Sequence, residues 1–262
     1  MTAAKSGSEA STSRTTKSKS KQGSKKGEVE VIEETDDGVK HIIVDPSIDK
    51  ECYVEQALAD HQVLQTIIDS LCGEARRARQ FSATIVSAIA KEDPSVLEPS
   101  IDSLVDALHR PEAQTRWEIL DALCYMVPLC LERSDEVQEG AEESLWDEES
   151  GPARMAAFKF LCLLGASGPK TSEEVWPSLD EAIQCYHGDL EFNDMLGELV
   201  VFANGNVSDD VKEKLAHRMA FDAKNGKGVL GNKASTIVEA CGCDLDAEEE
   251  ADASDGDDGK QP

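Results

Sequence analysis

The sequence predicts an all-α fold, a right-handed α-solenoid of about five helical hairpins. Two observations support this prediction. Apolar residues recur with the period of an α-helix from about residue 54 to residue 241, and groups of similar residues recur roughly every 38 positions. Some of the predicted helices are apolar on two sides, and such a helix must be packed on both sides. Similar helical pairs stacked in a row provide that cover.

The clearest unit is the stretch from Asp93 to Cys130, which contains two predicted helices. Asp93 is placed to cap the first helix, and Pro94 suits its first position because no backbone amide needs a partner there. Pro111 separates the two helices. The first helix has one apolar stripe, formed by Leu97, Ile101, Leu104, Val105 and Leu108. The second helix has two, formed by Trp117, Leu120, Leu123, Cys124 and Val127 and by Ile119, Ala122 and Met126.

Copies of this unit are visible through two markers on different helices. Arg116 lies near the start of the second helix, with Arg79 37 residues before it and Arg154 38 residues after it. Lys233 follows 79 residues beyond Arg154, close to two further periods. On the first helix, Pro-Ser-Ile-Asp at 99–102 recurs as Pro-Ser-Leu-Asp 78 residues later. A bundle of helices of similar length with short loops is the alternative explanation of such a spacing.

This pattern resembles the HEAT repeat family, whose units are paired helices with a proline early in the first helix and a basic residue opening the second. The resemblance covers about residues 54–241 and implies a solenoid related to the armadillo type, with a protein or peptide ligand on its concave surface. The turns depart from the family pattern, because His109-Arg110-Pro111 and Gly151-Pro152 stand where an aspartate-rich turn is usual.

The candidate partner-binding residues are Arg79, Arg116, Arg154 and Lys233. They are predicted at solvent-side positions of the second helices, where side chains of successive units line up. The resemblance also implies an alternative role for them, because basic residues at this position often form a structural ladder between neighbouring units. We therefore expect them either at the binding surface or in contacts that hold the units together.

The two ends of the chain have opposite charge. Residues 1–27 contain seven basic residues and one acidic residue, and residues 244–262 contain nine acidic residues and Lys260. Neither segment has periodic apolar residues, so both are predicted to be disordered tails. The basic tail could contact nucleic acid electrostatically, and a solubilising or self-contacting arm is the alternative. It has no apolar run of the length found in a secretory signal.

Residues 28–45 are predicted to form a short β-hairpin, because β-branched runs flank the turn sequence Asp37-Gly38. Such a hairpin would either cap the exposed end of the solenoid or offer a free edge to a partner strand. Residues 46–243 are then the helical repeat domain.

The charge of residues 28–243 favours a basic partner. This part of the chain has 43 acidic and 18 basic residues, a net charge of −25 that repels nucleic acids and anionic membranes. A salt-adapted cytoplasm would also select so acidic a surface. No apolar stretch is long enough to cross a membrane, and the eight cysteines are expected to be reduced thiols. The predicted location is cytoplasmic.

Motifs for catalysis or cofactor binding are absent from the sequence. There is no phosphate-binding loop, dinucleotide fingerprint, zinc-protease motif or nucleophile elbow. Cys241-Gly242-Cys243 has no second cysteine or histidine pair at zinc-finger spacing. We therefore predict no catalytic, cofactor or metal site and a non-enzymatic protein–protein interaction scaffold. A nucleic-acid- or ribosome-associated accessory protein that uses the basic tail is the alternative, and an enzyme of unrecognised type is a third.

Overall fold

A computed structural model describes residues 33–34, 40–41 and 44–242 of the chain. Within this part the fold is built from α-helices. They are α1 (Lys50–Ala59), α2 (His61–Leu71), α3 (Arg76–Glu92), α4 (Ile101–Leu108), α5 (Ala113–Cys130), α6 (Ser134–Leu145), α7 (Gly151–Gly165), α8 (Pro169–Cys185), α9 (Phe192–Ala203), α10 (Asp209–Asn225) and α11 (Val229–Cys241). Short 3₁₀ helices at Pro94–Ser100 and Leu131–Arg133 lead into α4 and α6.

The helices after α1 form two rows. The first helices α2, α4, α6, α8 and α10 contact one another in succession, and so do the second helices α3, α5, α7, α9 and α11. This arrangement is an α-solenoid of five helical pairs, as predicted. One pair is less regular, because α8 packs mainly on α7, the second helix of the preceding pair.

The repeat read from the sequence is the structural repeat. The second helices begin at residues 76, 113, 151, 192 and 229, so successive units are 37 to 41 residues long. Arg79, Arg116 and Arg154 are each the fourth residue of their helix, and Lys233 is the fifth residue of α11. The three arginines therefore occupy equivalent places in the first three units, and Lys233 is shifted by one residue in the last.

Two-sided burial of the second helices explains the stack. Helix α7 contacts α5, α6, α8 and α9, and its side chains Phe158, Phe160 and Leu161 are completely buried. Burying a side chain of this size stabilises the fold by about 1.5–3 kcal/mol. No single neighbour can cover both apolar sides of such a helix. Each inner second helix, α5, α7 or α9, therefore depends on the units before and after it.

Local sequence signals set the helix starts. The Asp93 carboxylate accepts a hydrogen bond from the Ser95 amide at 3.1 Å, which caps the predicted helix. Its first turns are 3₁₀ rather than α because Pro99 cannot donate an amide hydrogen bond inside it. Asp60 accepts a hydrogen bond from the Gln62 amide at 2.8 Å and opens α2, so the beginning of the helical pattern after residue 54 is divided between α1 and α2.

The predicted β-hairpin of residues 28–45 is wrong as an element of the fold. The described chain is helical apart from two strands of two residues, β1 (Glu33–Glu34) and β2 (Lys40–His41), which pair antiparallel. Val44, at the end of the second predicted strand, is instead buried in the helical core. A lone hairpin is marginal in water, whereas the core removes an apolar side chain from solvent. The rest of the predicted hairpin lies outside the described residues.

Packing between first helices can be tested at Gly140 in α6. A Cβ atom there would lie 2.8 Å from Cδ1 and 2.9 Å from Cβ of Leu108, so Gly140→Ala requires α4 and α6 to move apart. We expect a loss of about 1–3 kcal/mol in the free energy of unfolding, measured by chemical denaturation.

Gly197 in α9 is the matched control for this substitution. Its added Cβ would meet only the ammonium end of the flexible Lys233 side chain, 3.2 Å away, so the helix propensity of alanine should stabilise Gly197→Ala by up to ~1 kcal/mol. Equal effects of the two substitutions would contradict the packing account.

Candidate functional site

The structure places the predicted arginines in a ladder of ion pairs between neighbouring second helices. Arg79 pairs with the carboxylate of Glu112, which immediately precedes α5. Arg79 also donates to the backbone carbonyl groups of Gly73 and Glu74, each at 2.8 Å. One guanidinium group therefore holds both the turn inside its own unit and the start of the next second helix.

The next two units repeat this arrangement. Arg116 pairs with Asp147, whose other carboxylate oxygen accepts hydrogen bonds from backbone amides in the turn before α7. Arg154 pairs with Glu191 at 3.0 Å, immediately before α9. The Arg154 guanidinium also lies 5.5 Å from the centre of the Tyr186 ring, within cation–π range.

Lys233 differs from the three arginines. Its ammonium group donates to the backbone carbonyl of Asn193 in α9 and thereby points back to the preceding unit. The arginine side chains are only 11%, 15% and 16% exposed, so their guanidinium groups already have protein partners in the described chain. A partner-binding role for these four residues stays a prediction.

The Arg79–Glu112 ion pair is buried and contributes to the stability of the fold. The side chain of Glu112 is only 5% exposed, and its hydrogen bonds with Arg79 hold the pKa of that carboxyl below its usual range. A carboxyl with a lowered pKa in the folded state stabilises the fold above its ordinary pKa. That contribution is lost as the pH falls through the lowered value.

The candidate binding site is a second group of polar residues that the sequence analysis did not select. We call it the central cluster, and it consists of Glu118 and Asp121 on α5, Lys159 on α7 and Glu198 on α9. Lys159 donates to Asp121 at 3.2 Å, and their side chains are 34% and 41% exposed. Asp121 and Glu198 thus lie near the ammonium group of Lys159, and Glu118 lies near Asp121 on the same helix.

Helix α3 supports the α5 carboxylates of the central cluster through its hydroxyl groups. Thr84 donates to Glu118 at 3.0 Å, and Ser87 donates to Asp121 at 3.0 Å. These bonds hold both carboxylates in place while leaving further oxygen lone pairs available, because an ionised carboxylate can accept about four hydrogen bonds. The central cluster is therefore supported from one side and open on the other.

Partial burial disfavours the charged form of two of these carboxyls. It raises the pKa of Glu118, against the opposing effect of the hydrogen bond from Thr84. It also raises the pKa of Glu198, against the attraction of Lys159 and Lys233. Desolvated carboxylates gain more than exposed ones when a cation approaches, so this region can bind an additional positive charge.

The neighbouring groups explain why Lys159 remains the cation of the central cluster. Burial acts to lower the pKa of Lys159, but the combined attraction of Cys124, Asp121 and Glu198 outweighs burial and the pKa is raised. Burial raises the pKa of the adjacent Cys124 thiol to about 12. The thiol is therefore protonated at neutral pH and is not an activated nucleophile.

Aromatic and aliphatic side chains surround the central cluster. Trp117, Asp121 and Tyr125 follow one another at four-residue steps along α5 and so share one helix face. Tyr125 is 40% exposed, and Val201, three residues after Glu198 on α9, is 45% exposed. The site combines carboxylates with apolar and aromatic surface, which suits a long basic side chain with an aliphatic stem.

One regularity of the sequence marks the position of the central cluster. Thr84, Asp121 and Lys159 each lie five residues after the marker arginine of their unit. Lys159 is conspicuous because it lies inside the nearly continuous apolar run of α7. A polar residue repeated at one position of successive units marks the exposed side of the row.

The described residues show neither a metal-binding group nor a membrane-spanning helix. In that part of the chain no group of histidine, cysteine and acidic side chains is placed to hold a metal ion, and Cys243 of the predicted pair lies outside it. None of the helices in residues 44–242 has the length and hydropathy that crossing a membrane requires.

The ladder predicts a specific loss of stability in Arg79→Gln. This substitution leaves the buried Glu112 carboxylate without its cation, so we expect the free energy of unfolding at pH 7 to fall by about 2–4 kcal/mol. The difference from the unaltered protein should shrink as the pH falls through the lowered pKa of Glu112, because this carboxyl is then protonated in the folded and in the unfolded protein.

Lys170→Gln is the control for the ladder, because it removes an exposed ion pair with Glu174 one helical turn away. We expect it to change stability little. Denaturation curves at several pH values test both variants, and an Arg79→Gln variant as stable as Lys170→Gln would refute the ladder's contribution.

Comparisons with known proteins support the fold through structure alone. No protein-family model matches the sequence, and no curated protein matches it. The designed armadillo repeat protein YIII(Dq)4CqI is similar in structure, with a TM-score of 0.59 and 12% identity over 75% of this chain and 94% of that chain. A computationally designed armadillo repeat protein for modular peptide recognition gives a TM-score of 0.59 and 13% identity over 72% and 86% of the two chains.

A third solved structure is a designed armadillo repeat protein in complex with the peptide (KR)4. Its TM-score is 0.60, with 11% identity over 73% of this chain and 86% of that chain. At such low identity the likeness concerns the fold. This chain has the fold of an armadillo- or HEAT-like α-solenoid.

Proposed function

We propose that this chain is a non-enzymatic cytoplasmic scaffold that binds a basic protein or peptide segment at the central cluster. The observation that supports this most directly is the state of Glu118 and Glu198. Both carboxyls are partly buried, and burial raises the pKa of each. A basic side chain from a partner would restore the electrostatic stabilisation that these carboxylates lose on leaving water.

The arrangement of the central cluster along the stack suits an extended ligand. Its residues come from α5, α7 and α9, which are consecutive second helices. Helices that pack against each other are about 8–10 Å apart, so the two outer helices are separated by roughly 20 Å. An extended peptide advances about 3.3 Å per residue and would cross this distance in about six residues. Alternate side chains could then reach successive helices.

The complex of a designed armadillo repeat protein with (KR)4 supports this choice of ligand chemistry. That peptide alternates two basic residue types. The net charge of −25 on residues 28–243 also favours a basic ligand at long range. Catalysis is no part of the proposal, because the Cys124 thiol beside the central cluster is held protonated.

In this proposal the ladder arginines support the helices that form the binding surface. Arg116 holds the turn before α7 through Asp147, and Arg154 holds the start of α9 through Glu191. These contacts help to set the spacing of the helices that present the central cluster. Substitutions of the ladder arginines would therefore lower stability directly. They would affect binding only indirectly, by changing the spacing of the helices.

Binding of the (KR)4 peptide provides the test of the proposed function. Glu198→Gln and Glu118→Gln each remove one negative charge from the central cluster, and we expect each to raise the Kd about tenfold, the value of one charge-assisted hydrogen bond. Glu181→Gln removes the same charge from an exposed position on the first helix α8 and should leave the Kd nearly unchanged. Isothermal titration calorimetry at fixed salt measures all three.

Stability should change in the opposite direction to binding. A carboxyl with a raised pKa in the folded state lowers stability as the pH rises through that pKa, because the charged form is desolvated. Glu198→Gln removes this cost and should stabilise the free protein at pH 7. Equal weakening of binding by Glu181→Gln, or no binding of (KR)4 by the unaltered chain at any salt concentration, would contradict the proposal.

The nucleic-acid alternative depends on residues 1–27 and stays a prediction. Seven basic residues against one acidic residue would give binding that weakens steeply with salt. A full-length variant with these seven residues changed to glutamine separates the two functions. It should lose any binding to single-stranded or duplex nucleic acid and keep its binding to (KR)4.

A further inference from the structure

A row of apolar side chains lies beside the central cluster on the same three helices. It consists of Tyr125 on α5, Leu163 on α7 and Val201 on α9, and we call it the apolar row. Tyr125 and Val201 are 40% and 45% exposed, and Leu163 is partly buried. Apolar surface of this kind gains free energy when it leaves water. The apolar row is therefore surface that the fold itself leaves partly uncovered.

The apolar row follows the central cluster by one helical turn. Each of its members stands three or four residues after a cluster residue of the same helix, namely Asp121, Lys159 or Glu198. Residues at this spacing share one face of a helix, and their Cβ atoms are about 5–6 Å apart. The carboxylates and the apolar row therefore belong to one open surface.

Contacts between the helices show that the two sets of residues run side by side. Lys159 donates to Asp121 at 3.2 Å, which places these positions of α7 and α5 opposite each other. Tyr125 and Leu163 lie one turn further along the same helices and are separated by the same 38 residues. Val201 follows Leu163 by another 38 residues. The apolar residues thus occupy equivalent places in three successive units.

The limits of the apolar row coincide with those of the central cluster. Ser87 on α3 donates to Asp121, which lies 34 residues later. The same step relates Tyr125 to Lys91, an exposed basic residue, so the apolar row ends at α5. On the other side of the central cluster, α9 presents the exposed Asp194 instead of an apolar residue. Continuous apolar surface therefore accompanies the carboxylates on the side of Tyr125.

An extended chain matches two parallel rows of different chemistry. Its successive side chains point to opposite sides of the backbone. A backbone that lies above the boundary between the rows directs one alternate set of side chains to the carboxylates and the other set to the apolar row. About six residues of such a chain cross the three helices. A ligand that satisfies both rows therefore alternates two kinds of residue.

We propose that the ligand of the central cluster is an extended segment in which basic residues alternate with large apolar residues. This inference rests on the proposed function, because it assigns the basic residues to the central cluster. The apolar residues pack on Tyr125, Leu163 and Val201 and remove these side chains from water. Charge then attracts basic segments in general, and apolar contact selects the alternating ones among them.

The aliphatic stems of basic residues are the competing explanation for this apolar surface. A stem can cover apolar side chains while its charged end stays in water. A basic side chain that reaches Asp121 or Glu198, however, extends toward the carboxylates and away from the residues one turn beyond them. The basic and the apolar side chains of the ligand therefore contribute separately, and the two contributions can be measured apart.

Three peptides of equal length and charge separate these contributions. (KL)4 and (KS)4 have the same lysines in alternation, and only (KL)4 has apolar residues between them. The isomer KLLKKLLK has the composition of (KL)4 but the apolar period of an α-helix. We expect the full-length chain to bind (KL)4 about tenfold more tightly than either of the others, as partial burial of leucine side chains allows. Isothermal titration calorimetry at low and high salt measures the Kd values, and the ratio should persist at high salt because apolar contacts are not screened.

Substitutions in the apolar row give an independent readout. Val201→Ser and Tyr125→Ser should each raise the Kd of (KL)4 about threefold to tenfold and leave that of (KS)4 nearly unchanged. Both residues are exposed, so the fold should tolerate the changes. Glu198→Gln should weaken both peptides equally, because both use the carboxylates. Phe221→Ser removes an exposed apolar side chain from the first helix α10 and is the matched control, which should change neither Kd.

The outcomes separate this inference from the proposed function. If (KS)4 binds but (KL)4 binds no more tightly, the alternating ligand is overturned and the proposed function stands. The same holds if Val201→Ser weakens both peptides equally, or if KLLKKLLK binds as tightly as (KL)4. The absence of any binding of (KR)4 and (KS)4 would overturn the proposed function and this inference with it.

Discussion

The fold depends on the burial of second helices that are apolar on two sides. Helix α7 shows the constraint most clearly, because Phe158 and Leu161 are completely buried and α5 and α9 contact it within the row. A helix of this kind has no stable position at the edge of a small bundle. The chain satisfies it by repetition, and the row of second helices is the result. Only one side of each second helix remains for polar residues.

The arginine ladder adds geometric specificity to this apolar row. The hydrophobic effect is roughly proportional to buried area and does not by itself fix how far one helix is shifted along the next. A guanidinium group that binds both a turn carbonyl and a carboxylate from the next unit does restrict that shift. Arg79 and Arg154 meet this description through Glu112 and Glu191. The ladder therefore orders the units, while burial supplies most of their stability.

The central cluster contains partly buried carboxylates that reduce the stability of the free protein. Glu118 and Glu198 lose hydration on the only open side of the second-helix row, and their raised pKa values reflect that loss. Residues of this kind lower the stability of the free protein, so they are explained more readily by binding than by folding. The first helices also have many acidic residues, but most of those are exposed and keep their hydration. Burial and not acidity alone distinguishes the site.

The amino-acid sequence by itself determined the class of the fold and the length of its repeat. Helical stripes and the recurrence of Arg79, Arg116 and Arg154 are local or strictly periodic features, and the physics of helix packing translates them directly into paired helices. The hairpin prediction relied on a local pattern of the same kind, but two strands alone gain too little, and Val44 is drawn into the helical core.

Only the tertiary structure decided which polar residues hold the units together and which form the central cluster. The contact of Arg79 with Glu112, which lies 33 residues further along the chain, is visible only in the folded structure. In the sequence, Lys159 is one residue within an apolar run. In the folded structure its side chain is partly exposed and binds Asp121 of the preceding unit. In both cases the environment of a charge depends on residues from another unit, and the dielectric around a side chain is a property of the packed stack and not of the local sequence.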